Sequence, residues 1–119
     1  MNMNHLMEKV KQGPNYDKVG MILCHNGVVR GTSRDGRQVT GLHLTVDHGK
    51  LETILASARK RPGITDVMIE IAEDRDLAVG DDVMFLVVAG DIRENVLSTL
   101  SDTLNEVKAT VTSKTEFFK

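Results

Sequence analysis

Tryptophan does not occur in this sequence, and phenylalanine and tyrosine bring the aromatic share to only 3 %. Single-stranded nucleic acid is held largely by stacking on such rings, so their scarcity argues against that partner. Charge argues the same way. Fifteen basic residues stand against 17 acidic ones, a formal charge of -2, without the basic excess that a nucleic acid or an anionic membrane attracts. Any anion site must therefore be local. A single cysteine, Cys24, excludes an intramolecular disulfide, and its place mid-strand beside Leu23 reads as a small core residue rather than a nucleophile. Residues 1–13 carry no apolar core of a secretory signal, so reducing cytoplasm is the expected compartment. The longest apolar run, residues 83–89, is too short to cross a bilayer as a helix, and no membrane span is expected.

The usual motifs of metal, cofactor and hydrolytic chemistry are missing too. His5, His25, His43 and His48 show neither an HxxxH spacing nor a cluster with cysteine, so no metal site is expected. No GxGxxG, Walker loop or GxSxG occurs, which argues against dinucleotide binding, P-loop phosphate chemistry and a hydrolase nucleophile elbow.

What is present is the material of one folded domain. A chain of 119 residues can bury one core, and 40 % hydrophobic with 27 % charged residues is ordinary globular composition. Residues 1–18 mix Asn, Lys, Gln, Gly13 and Pro14 with a brief apolar patch and read as an N-terminal arm or a frayed helix; residues 19–119 read as the domain. Residues 19–24 and 27–30 are β-rich, and in residues 39–46 Leu42, Leu44 and Val46 alternate with His43 and Thr45. Asp35-Gly36 between them supplies the positive φ of a hairpin connection. Leu51, Ile54, Leu55 and Ala58 fall at helical spacing within residues 48–61, and Pro62-Gly63 ends that helix.

Residues 66–71 and 83–89 read as strands turned at Gly80-Asp81, and the second, apolar on both faces, belongs at the centre of a sheet. Asp91 with Glu94 three residues on makes a capping box for a helix carrying Ile92, Val96, Leu100, Leu104 and Val107. Residues 109–113 return to a β pattern. The expected order is β-β-α-β-β-α-β, an α+β fold with a mixed, largely antiparallel sheet and two main helices on one face.

Cations gather at element ends: Arg30 before the hairpin tip, Arg93 in the first turn of the last helix, Lys108 at its end and Lys114 on the last strand. Each has a bland reading as a solvated or helix-terminal charge, and charge alone favours that reading. Arg93 weakens that reading slightly, because a cation in the first helical turn faces the positive end of the helix dipole at a mild local cost.

The order of these residues resembles the large subunit of molybdopterin synthase, MoaE. In that family a Gly-x-Val-Val strand leads into Val-Arg and a polar hairpin tip; here Val28-Val29-Arg30-Gly31 leads through Asp35-Gly36-Arg37 to Val39. The family's later strand, Gly-Asp turn, apolar strand, Arg-opened helix ending in Leu-Lys, and final Lys-x-Glu correspond to residues 67–71, Gly80-Asp81, residues 83–88, Arg93, Val107-Lys108 and Lys114-Thr115-Glu116. Ile92 stands where the family has a histidine, and Ala72-Glu73 where it has His-Arg.

The resemblance implies an α/β-hammerhead-like fold and a place in molybdenum cofactor biosynthesis. Such large subunits form a homodimer within a heterotetramer, flanked by ubiquitin-like small subunits whose Gly-Gly tails end in a thiocarboxylate. Sulfur passes from that tail to cyclic pyranopterin monophosphate, the substrate, and no other cofactor is implied. By the same resemblance Lys108 and Lys114 are the catalytic residues, and Arg30 and Arg93 bind the substrate's phosphate and pterin oxygens. Two alternatives remain open: a non-catalytic family member acting as a binding or regulatory module, and a small-molecule sensor domain of the split-βαβ type.

Overall fold

Alternating side-chain direction and a few positive-φ glycines divide this chain into short elements, all of residues 1–119 being described by the computed structural model. In order these are α1 (Met3–Lys11), a 3₁₀ turn (Tyr16–Lys18), β1 (Met21–Val28), β2 (Val39–Val46), α2 (His48–Arg59), β3 (Ile64–Ile71), β4 (Asp76–Ala78) and β5 (Asp82–Gly90). Then follow α3 (Arg93–Glu106), a π-helical turn (Val107–Val111) and β6 (Thr112–Phe118). The α+β class and the antiparallel strands are as expected, but the strands form two three-stranded sheets, β1-β5-β3 and β4-β2-β6, where one sheet was expected.

β5 is central to the first sheet, as its apolar run requires, and the two sides of that run are covered separately. Met84, Leu86 and Val88 face the main core with Leu51, Leu55 and Ala58 of α2 and Val96 of α3. Phe85, Val87 and Ala89 point the other way and pack against Leu6 and Val10 of α1. The N-terminal arm expected at residues 1–18 is thus, over Met3–Lys11, a docked helix. Leu6 and Val10 lie one turn apart and are almost wholly buried, and Asn2 caps the helix by accepting the His5 N–H. Met3, Leu6, Met7 and Val10 fall at i, i+3, i+4 and i+7, but over barely two turns such a stripe does not by itself separate a docked helix from an arm or a frayed one.

The expected β1–β2 hairpin is reduced to one bridge, Thr32 with Gln38. β1 pairs along its length with β5, and the register slips between Gly27 and Val28. That bulge turns Val29 out of the first sheet and into a third cluster with Leu42, Leu44, Ala72 and Leu77 under the second sheet. Two hydrogen bonds hold the crossing, the Val29 N–H donating to the Asp81 carbonyl and the Gly80 N–H to the Val29 carbonyl. The body is elongated, 49 × 25 × 24 Å.

Three further expectations change in detail. Residues 109–113, read as strand, lie mostly in the π-helical turn that continues α3, and β6, which pairs with β2, runs on from Thr112 to Phe118. The capping box is absent: Ile92 is the N-cap of α3, half exposed, and the Asp91 carboxylate accepts from the Ile92 N–H at 2.7 Å and the Asn95 amide at 2.9 Å. The buried stripe of α3 is Val96, Thr99, Thr103 and onward to Val107, with Leu100 and Leu104 only partly buried, because the small threonines fit closest to the sheet. Cys24 is exposed, since β1 is an edge strand and α1 packs over β5 rather than over it.

Candidate functional site

The junction of the two sheets leaves a cavity of about 390 Å³, within the size range of small-molecule sites. Its apolar floor is Leu42 and Leu44 of β2 with Val83 and Met84 of β5. Its polar rim comes from four segments far apart in sequence: His25 of β1, Arg34 of the hairpin tip, Lys108 of the π-helical turn and Lys114 of β6. No carboxylate lines it.

Local geometry accounts for each rim residue. The π-helical turn widens the end of α3, and it buries Val107 and Val111 while leaving Lys108 exposed on the cavity side. Lys114 sits opposite Leu44 in the β2–β6 ladder, and its Nζ lies 3.8 Å from the partly exposed Glu116 two residues on, a loose ion pair that shares part of its charge. Arg34 stands beside a turn tied by Ser33, whose hydroxyl donates to the Asp35 carboxylate and accepts the Arg37 N–H. That bond to Ser33 holds the Asp35 carboxyl below the usual carboxylate range. The next arginine, Arg37, lies 3.6 Å over the Phe118 ring and fastens the hairpin tip to the end of β6.

Of the four cations chosen from the sequence, Lys108 and Lys114 meet in this cavity; Arg30 and Arg93 do not line it. Arg30 is exposed and its Nε donates to the Thr32 carbonyl at 2.8 Å. Arg93 opens α3, also exposed. Ala72, where the family has a polar residue, is 2 % exposed in the third cluster, and Glu73 accepts from His48 at 2.8 Å. Neither His25 nor Arg34 stands out in the sequence as part of this site. His25 offers itself there only as a metal ligand, although its place two residues before Gly27 puts both on one face of β1. Arg34 sits in a polar loop whose direction no periodicity reveals.

The other histidines are elsewhere, His5 on α1, His43 paired with Asp76 and His48 with Glu73. Cys24 is outside the cavity, and desolvation pushes its thiol up, so it is protonated at neutral pH.

Residues 1–110 match the MoaE protein family. The chain belongs to that family. Its fold is similar to that of molybdopterin synthase from Staphylococcus aureus, at 18 % identity and a TM-score of 0.80, over 100 % of this chain and 86 % of the other. It is similar as well to molybdopterin cofactor biosynthesis protein E from Burkholderia multivorans, with 23 % identity, TM-score 0.77, and coverage of 100 % and 82 %. A third likeness, at 16 % identity and TM-score 0.71, covers 99 % of this chain and 84 % of a chain from the complex of subunits 1 and 2 of the Helicobacter pylori molybdopterin-converting factor. No curated protein matches. MoaE membership places the chain in molybdenum cofactor biosynthesis, in agreement with the resemblance drawn from the sequence. No helix is long and apolar enough to cross a membrane.

Proposed function

We propose that this chain is the working large subunit of a molybdopterin synthase, which takes sulfur from the thiocarboxylate tail of a ubiquitin-like small subunit and delivers it to cyclic pyranopterin monophosphate. The observation that carries the reading is the meeting of Lys108 and Lys114, from a helix end and a strand, in one cavity free of acid. An extended Gly-Gly tail has no side chains to obstruct entry into so narrow a site. The Lys108 ammonium polarises the thiocarboxylate and gives a proton to the substrate oxygen that leaves, and Lys114 stabilises the same developing charge. Arg34 adds a third cation for the substrate phosphate. Arg30 and Arg93 lie outside the cavity, and Arg93 reaches substrate in this reading only if the second copy of a homodimer presents it. The assembly is then a heterotetramer, working in the cytoplasm.

The test mixes the protein with thiocarboxylated small subunit and cyclic pyranopterin monophosphate. Molybdopterin forms with the wild type and not with Lys108→Ala. A second reading, a non-catalytic module that only binds a ubiquitin-fold or pterin partner, is favoured by Ala72 being core and Glu73 being engaged with His48. Binding of the small subunit without turnover selects it.

A further inference from the structure

His25 is the one rim residue of the cavity able to take up a proton near neutral pH, and nothing so far gives it a task. Its ring lies along β1 over Gly27: a Cβ built on Gly27 meets the imidazole Nε2 at 3.4 Å, so the glycine leaves the ring room to lie against the strand. The charged groups facing it across the cavity are Lys108 from the π-helical turn, Lys114 from β6 and Arg34 from the hairpin tip. β2 and β5 present only Leu42, Leu44, Val83 and Met84 there, and α3, which also packs on β1, contributes no lining residue. Partial burial and the Lys108 charge both hold the imidazole below its ordinary value. The ring is therefore neutral at pH 7, with no carboxylate in the cavity to charge it, and a neutral imidazole among ammonium groups is a base.

We propose that His25 is the general base that releases the small subunit after sulfur transfer. This rests on the sulfur-transfer reading above. Once the thiocarboxylate sulfur has bonded to the pterin carbon, the tail is held as an acyl thioester, and one water molecule must cleave it. Water adds its oxygen to the tail carbonyl carbon while His25 takes one of its protons. The carbon–sulfur bond to the tail then breaks with its electron pair going to sulfur. The pterin keeps a thiolate, the tail leaves as a carboxylic acid that ionises to solvent, and His25 returns its proton to solvent. No oxidant or reductant is involved.

The experiment is a single-turnover reaction of the full chain with thiocarboxylated small subunit and cyclic pyranopterin monophosphate, followed by mass spectrometry and repeated across pH. Wild type shows an acid limb that rises as His25 loses its proton, below the ordinary histidine range. In His25→Gln, release slows by about 10²-fold or more, the covalent adduct of small subunit and pterin accumulates, and the acid limb disappears. A His25→Gln protein with wild-type release and pH profile overturns the inference and leaves the function standing. A wild-type protein that makes no molybdopterin overturns both. Should His25→Gln fail to fold, the wild-type imidazole titration read by NMR decides: titration below the ordinary range that moves up in Lys108→Met supports the base, and titration at or above that range overturns it.

Discussion

Single positions in this protein carry requirements of very different kinds. Gly63 has φ +77, and a Cβ there would fall 2.2 Å from the Asp91 Oδ1 and 2.4 Å from the Asn95 amide nitrogen, two groups that anchor the start of α3. Gly63→Ala is expected to destabilise by about 1–3 kcal/mol from the backbone alone, with the displaced Asp91 adding to it, read as a lowered denaturation midpoint at unchanged slope. Gly36, also at positive φ but with open space around it, loses only the conformational term. The contrast between the two alanine variants measures the Asp91 contact. At the cavity, Lys108→Ala removes a proton donor and is expected to lower molybdopterin formation by about 10²–10⁴-fold while leaving the melting temperature near wild type, since the side chain is exposed. Lys114→Ala lowers it less, because its charge is shared with Glu116.

Among the elements, α1 and the π-helical turn matter most. α1 contributes Leu6 and Val10 to a cluster that closes the second face of β5, so Leu6→Ala is expected to cost about 2–5 kcal/mol, as truncation of a buried leucine does. Hydrogen exchange locates the effect: amides of α1 and the outer face of the first sheet lose protection, while the second sheet keeps its own. The π-helical turn aims Lys108, because the extra residue in its wider turn shifts the side chains after Glu106 relative to α3. Deleting Ala109 restores α-helical spacing and is expected to abolish molybdopterin formation in a protein whose circular dichroism keeps its helical content.

For the whole molecule, acid is the informative perturbation. Desolvation and Lys108 lower the folded pKa of His25 below its unfolded value of 6.5, so the unfolded chain binds the proton first and stability is lost as pH falls from about that value toward the folded one. Asp91, held down by the Asn95 amide and the Ile92 N–H, contributes stability present above 3.8 and lost as pH falls below it through the folded value. Denaturant melts are expected to show two separated losses, and His25→Gln removes the upper one alone.

The sequence by itself determined the elements that local physics dictates. β5 is apolar at successive positions and had to be central; α2 shows its helical stripe and its Pro62-Gly63 stop; Gly36 and Gly80 take the positive φ that their Asp-Gly and Gly-Asp pairs announced. The series of short motifs from Val28 to Glu116 carried the resemblance to the family that residues 1–110 match. Only the tertiary structure decided that the strands split into two sheets, because pairing partners and the Gly27–Val28 bulge depend on contacts between distant segments. It alone decided the cavity's membership. Lys108 and Lys114 enter while Arg30 and Arg93 stay out, and His25 and Arg34 join from a strand and a loop, since a side chain's neighbours across a sheet junction are fixed by register and not by spacing along the chain.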